Sequence, residues 1–149
     1  MRTLFRSIAI VLASASFSLA AEGWLTDWEA AKAKSKAENK PILLKLTGSD
    51  WCASCIQLEK QVLSQQAFKD FAAQHLILME ADYPKKKELP AELKKQNEAL
   101  AKLYFADAYP NVWLLDSEGV KLSEDLGDPE VKPDDLIAKL KELLAKRKS

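Results

Sequence analysis

The spacing of hydrophobic positions changes along the chain and predicts an alternation of helices and strands. Two short, nearly continuous apolar runs, at 41–47 and 75–82, are too short for helices and are typical of buried strands. Helical spacing is found in four segments: 25–40, 56–71, 90–104 and 133–148. This order predicts an α/β fold with a parallel βαβ crossover.

A predicted β-hairpin follows the third helical segment. Val112–Asp116 forms its first strand, Ser117-Glu118-Gly119 its turn and Val120–Leu126 its second strand. The hairpin and the last helix complete an α/β sandwich around a mixed sheet. No repeat or low-complexity linker indicates a second domain, so 21–149 is predicted to be one domain.

Finer predictions concern the ends and faces of helices. Asp27 is placed to cap the first helix, and Ser64 is placed to interrupt the second and cap its continuation. His75 is predicted to begin the second strand. One face of the third helix is predicted from its apolar residues, Leu93, Leu100, Leu103 and Tyr104.

The first twenty residues carry the parts of a secretory signal peptide. Arg2 and Arg6 precede an apolar stretch that ends in the small residues Ser18-Leu19-Ala20. The alternative, a membrane anchor, needs ~20 apolar residues, and this stretch is shorter. We therefore expect a signal peptide at 1–20, no membrane insertion of the mature chain, and export, to a bacterial periplasm.

The charge balance argues against one class of partner. The 149 residues include 22 basic and 22 acidic side chains, which gives no overall attraction to nucleic acid or to an anionic membrane. We expect no nucleic-acid partner and an ordinary solvated surface of charged residues.

The chain has two cysteines, three positions apart in the stretch TGSDWCASC at 47–55. A structural zinc site usually takes four ligands, whereas the chain offers this pair and one histidine, His75. A structural staple would close a loop so small that it removes little entropy from the unfolded chain. A redox-active dithiol fits best, because cysteines in an exported protein are paired or actively kept reduced.

The position of the pair, where a buried strand meets a helix, predicts its chemistry. A helix N-terminus stabilises an anion, so it lowers the pKa of the first cysteine and favours the reactive thiolate. Cys52 is predicted at an exposed tip, with Cys55 more shielded and on the same side of the helix. Cys52 can then attack a substrate disulfide, and Cys55 can resolve the mixed disulfide. No organic or metal cofactor is needed, because the electrons reside in the sulfurs.

The stretch Trp51-Cys52-Ala53-Ser54-Cys55 resembles the WCxxC centre of the thioredoxin superfamily. Its start, TGSDWC, resembles that of exported bacterial thioredoxin-like proteins related to disulfide reductase modules. The resemblance covers about residues 25–146 and continues through Asp82, the lysine-rich segment, the helix at 96–101, Tyr109-Pro110 and Gly119. It implies a thioredoxin-like α/β/α sandwich with a central mixed sheet.

The resemblance also implies roles for residues near the dithiol. It implies that Pro110 is cis and packs against the dithiol, that Tyr109 presents backbone groups to an extended substrate, and that Trp51 contacts the substrate. It implies reduction of protein disulfides, with a membrane electron donor that recharges the dithiol.

Two departures from the family pattern lie at positions that affect the relative stability of thiolate and disulfide and the deprotonation of the second cysteine. Ala53-Ser54 stands between the cysteines where thioredoxin has Gly-Pro, and Leu46 stands where thioredoxin has a buried acid. Lys45 is predicted to face away from Leu46, because strand side chains alternate. Glu80 is the nearest acid on the next strand, either a proton-handling group or, as we expect, a surface carboxylate.

The sequence thus predicts a periplasmic thiol–disulfide oxidoreductase, of the protein disulfide reductase or isomerase type. Its predicted partners are protein thiols and disulfides. The alternative is a thioredoxin-fold binding module that holds a polypeptide or a soft metal ion such as Cu(I), without turnover.

Overall fold

The computed structural model describes residues 23–104 and 106–147, so the predicted signal peptide lies outside the described residues. These residues form a four-stranded sheet in the order β1-β3-β2-β4. The strands are β1 Trp24–Leu25, β2 Ile42–Thr47, β3 Ile77–Asp82 and β4 Asn111–Leu115. β3 pairs in parallel with β1 and β2, and β4 pairs antiparallel with β2.

The helices of this part of the chain are α1 Trp28–Glu38, α2 Ala53–Leu58, α3 Gln66–His75, α4 Ala91–Tyr104 and α5 Pro133–Arg147, with a π-helical turn at Glu59–Leu63. Asp27 caps α1 as predicted, because its carboxylate accepts a hydrogen bond from the N–H of Ala30 at 2.8 Å. Among the described residues, no helix is both long and apolar enough to cross a bilayer.

Alternate residues of β2 serve two cores, one on each face of the sheet. Leu43 belongs to the core formed with α2, α3 and α5, which includes Phe68 and Leu140. Leu44 and Leu46 belong to the core formed with α1 and α4. All six residues of β2 are buried, which explains why this central strand is so apolar. The mixed sheet between two helical layers confirms the predicted α/β/α sandwich.

The predicted second strand of the hairpin, Val120–Leu126, is wrong as a regular strand. Within the described chain this segment makes one isolated β-bridge, at Lys121. Side chains replace backbone acceptors further along, since Asp125 and Ser123 accept hydrogen bonds from two N–H groups of β4 at 2.8 and 3.0 Å. A continuous ladder does not form, because carboxylate and hydroxyl oxygens occupy those donors.

Three finer predictions are also wrong. Ser64 follows the interruption of the helix as predicted, but its hydroxyl donates to a carbonyl of the preceding turn and does not cap α3. His75 ends α3 and does not begin a strand. Leu103 is 59% exposed, whereas Tyr104 is buried, because adjacent residues of a helix differ in direction by about 100°.

Candidate active site

The connection from β2 to α2 ends at Cys52 and places both cysteines at one end of the sheet. It begins with a tight turn, in which the carbonyl of Gly48 accepts hydrogen bonds from the N–H groups of Trp51 at 3.3 Å and Cys52 at 2.9 Å. A Cβ at position 48 would lie 2.5 Å from the Trp51 ring. Glycine is therefore needed for the indole to lie against the turn.

Cys52 and Cys55 form a disulfide across the first turn of α2, with their Cα atoms 5.3 Å apart. Cys52 is the N-cap of α2, and its sulfur accepts a hydrogen bond from the N–H of Cys55 at 3.2 Å. Cys52 is only 7% exposed, so the prediction of an exposed tip is wrong. The loop before β4 covers its sulfur, since the carbonyl oxygen of Tyr109 lies 3.7 Å from Sγ.

That loop places Tyr109 and Pro110 beside the disulfide. The peptide bond between them is cis. The segment after β4 packs closely behind the proline, because a Cβ at Gly127 would lie 2.6 Å from the Pro110 carbonyl oxygen. The fold thus brings Tyr109 into contact with Cys52, although more than fifty residues separate them in the sequence.

Three aromatic side chains, Trp51, Tyr83 and Tyr109, form an aromatic platform next to Cys52. The ring of Tyr109 lies 6.1 Å from that of Trp51, edge to face, and 5.0 Å from that of Tyr83. The indole N–H of Trp51 donates to the carbonyl of Tyr83 at 2.8 Å. Burial raises the pKa of both tyrosines, so their hydroxyls are neutral at physiological pH. Trp51 remains 38% exposed, so the platform is open to a partner.

Asp50 binds the lysine-rich connection after β3 to the active-site turn. Its carboxylate accepts hydrogen bonds from the backbone N–H groups of Lys85, Lys86 and Lys87, at 2.9, 2.8 and 3.2 Å. These bonds, first that from Lys85, hold the pKa of Asp50 below its usual range. The connection therefore has a fixed backbone, although it contains no regular secondary structure.

Asp82, at the end of β3, makes a second link to the same turn. Its carboxylate accepts hydrogen bonds from the N–H and the hydroxyl of Ser49, at 2.9 and 2.7 Å. The ammonium of Lys87 lies 2.8 Å from the same carboxylate, and this bond raises the pKa of Lys87. These contacts explain the Ser49-Asp50 pair before Trp51, because Ser49 donates to Asp82 and Asp50 binds the lysine-rich connection. Sequence reasoning missed both roles and that of Tyr83, because each role depends on a contact between residues 26 or more positions apart.

A buried ion-pair group lies on the other side of β2 from Leu46. Lys45 faces away from Leu46, as predicted, and is 4% exposed. Its ammonium lies 2.6 Å from Glu59 and 2.8 Å from Glu80. The same ammonium lies 4.2 Å from the ring centroid of Trp24. Glu80 is therefore not the expected surface carboxylate, since its side chain is 16% exposed and paired. Sequence reasoning missed Glu59, whose spacing of four from Cys55 was the available signal.

His75 lies far from the cysteines along the sheet, because α3 ends where β3 begins, and the disulfide follows the end of β2. Its ring packs on Phe71, with centroids 4.8 Å apart. Among residues 23–104 and 106–147, no three histidine, cysteine, aspartate or glutamate side chains come together as a metal site.

Comparison with known proteins gives curated relatives and similar solved structures. Over 89 residues the chain is 40% identical to the disulfide bond reductase DsbH of Chlamydia pneumoniae, a match that covers 60% of this chain and 54% of that protein. The chain thus spans about half the length of this relative.

A solved structure described as DsbH oxidoreductase superposes with a TM-score of 0.77 at 32% identity, and the match covers 93% of this chain and 95% of that one. The oxidised C-terminal domain of DsbD from Neisseria meningitidis gives a TM-score of 0.55 at 23% identity, covering 76% of this chain and 89% of that domain, and shows the shared fold. The model of a family described as thioredoxin-like matches residues 23–117, which include the cysteine pair and the cis proline. The chain therefore belongs to the thioredoxin-like family.

Proposed function

We propose that this protein is a thiol–disulfide oxidoreductase that reduces or isomerises the disulfides of protein substrates. The observation that carries the proposal is the disulfide across the first turn of α2, with the Cys52 sulfur beside the Tyr109 carbonyl. The similarity to a disulfide bond reductase supports the reductive direction. The predicted signal peptide at 1–20 supports a location in the periplasm.

In the reduced protein, Cys52 is the nucleophile. Its thiolate attacks one sulfur of the substrate disulfide, so the substrate S–S bond breaks and a bond to Cys52 forms. The departing substrate sulfur takes a proton from water. The N–H of Cys55, which lies 3.2 Å from Cys52 Sγ, stabilises negative charge on that sulfur before attack and again when it leaves.

Cys55 resolves the mixed disulfide. Its thiol loses a proton, its sulfur attacks Cys52 Sγ, and the second substrate thiol is released. The protein is left with the Cys52–Cys55 disulfide, and two electrons have passed to the substrate. Cys55 is 4% exposed and Cys52 is 7% exposed, so the assignment of Cys52 as the nucleophile rests on its position at the N-cap of α2. A dithiol donor, which we propose is a membrane protein, supplies the two electrons for the next cycle.

Trp51, Tyr109 and Pro110 are proposed to bind the substrate chain. The backbone carbonyl of Tyr109 lies next to the reacting sulfur, where an extended peptide would have to pass. Trp51 belongs to the same platform and is partly exposed.

Insulin reduction driven by dithiothreitol tests the proposal. Wild-type protein is expected to accelerate the reaction, and Cys52→Ser is expected to abolish the acceleration, because the nucleophile is lost. In a separate reaction, Cys55→Ser is reduced, freed of dithiothreitol and mixed with insulin, and it is expected to accumulate a mixed disulfide, visible by mass spectrometry as an adduct that added dithiothreitol removes.

The matched control is the Cys52→Ser/Cys55→Ser variant, which contains no thiol because the chain has two cysteines. A wild-type rate equal to that of this control, together with stoichiometric uptake of Cu(I), would contradict the proposed oxidoreductase and favour the binding module.

A further inference from the structure

The lysine-rich segment, defined as Lys85–Lys87, presents lysine side chains from a fixed backbone, and the ammonium of Lys87 is paired with Asp82. All three residues are exposed. All three backbone N–H groups are bound by Asp50, two positions before Cys52. The position of these lysines relative to the reacting sulfur is therefore set by the structure.

The carboxylates that accompany these lysines face inward. Asp50 is half-buried and directs its oxygens at backbone N–H groups. Asp82 is 7% exposed and is occupied by Ser49 as well as by Lys87. Glu88 is the exposed acid that follows the segment. A partner that approaches the platform at Trp51 therefore meets the ammonium of Lys85, whereas the exposed acid near Tyr109 is Asp107.

The side chain of Lys85 contacts the aromatic platform. Its ammonium lies 3.7 Å from the ring centroid of Trp51, a distance typical of a cation–π contact. Trp51 is adjacent to Cys52 in sequence. A peptide that contacts this ring while its disulfide reacts at Cys52 therefore passes beside Lys85.

We propose that the lysine-rich segment selects protein substrates in which acidic residues flank the reacting disulfide. The inference rests on the proposed function and names its substrate class. Complementary charge at the rim of a binding surface acts mainly on the rate of association, and salt screens it. Acidic flanks thus speed capture, and basic flanks slow it.

Three peptide disulfides test the inference. Each is a symmetrical dimer of one short peptide with a single cysteine, and the peptides differ only in the two residues on either side, which are Glu, Gln or Lys. Reduced protein is mixed with excess peptide, quenched with acid and analysed by chromatography for released peptide thiol. Each rate constant is divided by that for dithiothreitol, because flanking charges also change the acidity of the leaving thiol.

The normalised rate for the Glu peptide is expected to exceed that for the Lys peptide by about tenfold at low ionic strength. The ratio is expected to fall below about twofold in ~0.5 M NaCl, where the Debye length is only a few ångströms. Lys85→Gln/Lys86→Gln is expected to bring the low-salt ratio toward one. Lys85→Glu/Lys86→Glu is expected to reverse the order of the two peptides, which a purely structural role of the lysines does not predict. Both variants keep the backbone N–H groups that bind Asp50.

The matched control is Lys139→Gln/Lys141→Gln, which removes the same charge from α5 and is expected to leave the ratio unchanged. A wild-type ratio of one, or a ratio that the Glu variant leaves intact, overturns the inference while the enzyme stands. Failure of the wild-type protein to reduce even the Gln peptide overturns the proposed function itself.

Discussion

At the scale of single residues, Lys45 shows what a local pattern predicts and where it stops. Strand alternation predicted the face of its side chain. Its partners Glu59 and Glu80 lie on the helical turn after α2 and on β3, and the second is opposite Lys45 in the β2–β3 register. That register is a property of the folded sheet, so no local spacing contains it.

Lys45→Met tests the contribution of this group to stability. Methionine keeps much of the side-chain volume but removes the ammonium, which leaves the largely buried carboxylate of Glu80 without its partner. We expect the free energy of unfolding in urea to fall by about 3 kcal/mol, since breaking a buried ion pair from one side is costly.

Adding Glu80→Gln to Lys45→Met is expected to recover part of the loss, because the unpaired charge is then removed. Equal stability of the Lys45→Met variant and the wild type would show that the pairing is energetically neutral. With Glu80→Gln measured alone as well, the double-mutant cycle gives the interaction energy between Lys45 and Glu80, apart from the effect of each substitution.

The residues of the candidate site divide in the same way. Cys52, Cys55, Tyr109 and Pro110 were predicted, because a short motif and a resemblance name them. Tyr83 was not, since its role depends on the packing of its ring against Tyr109.

At the scale of elements, helices with a long apolar stripe and the two buried strands were predicted well, because each repeats one spacing over several residues. β1 was missed, since Trp24–Leu25 is too short to show a period. The segment Val120–Leu126 was predicted as a strand because it follows a strand and the turn Ser117-Glu118-Gly119, as in a hairpin. Its polar positions, Ser123 and Asp125, decide the outcome by binding the N–H groups of β4.

Asp125→Ala tests this replacement of backbone by side chain. The carboxylate accepts hydrogen bonds from the N–H groups of Val112 and Gly127 at 2.8 and 2.9 Å. Its removal is expected to cost about 1–3 kcal/mol of unfolding free energy, because buried donors lose their acceptor. Hydrogen exchange of the Val112 amide, followed by NMR, is expected to accelerate.

Glu124→Ala is the control for that experiment, since Glu124 is the adjacent acid and, like Asp125, is exposed. We expect it to leave exchange at Val112 as in the wild type. An unchanged exchange rate in Asp125→Ala would mean that the carboxylate does not protect this edge.

At the scale of the whole molecule, the two cores share one sheet. Every residue of β2 is buried between them, so neither helical layer can separate without exposing the central strand. The described residues are therefore expected to unfold in one cooperative transition.

Leu140→Ala in the α5 layer and Leu100→Ala in the α4 layer test that coupling. Each removes a buried side chain from a different core and is expected to cost about 2–5 kcal/mol. In both variants, melting followed by far-UV circular dichroism and by calorimetry is expected to coincide. A second calorimetric peak in either variant would show that the layers unfold separately.

The side chains along β4 also close that margin of the sheet to other polypeptides. The N–H groups of Val112 and Leu114 are occupied by Asp125 and Ser123, and their carbonyls accept hydrogen bonds from the N–H groups of Leu126 and Leu122. An unoccupied sheet margin is a template for aggregation. A polypeptide that reaches the neighbouring Tyr109 therefore meets backbone groups of Val112 and Leu114 that are already hydrogen-bonded, and it cannot extend the sheet by pairing with these two residues.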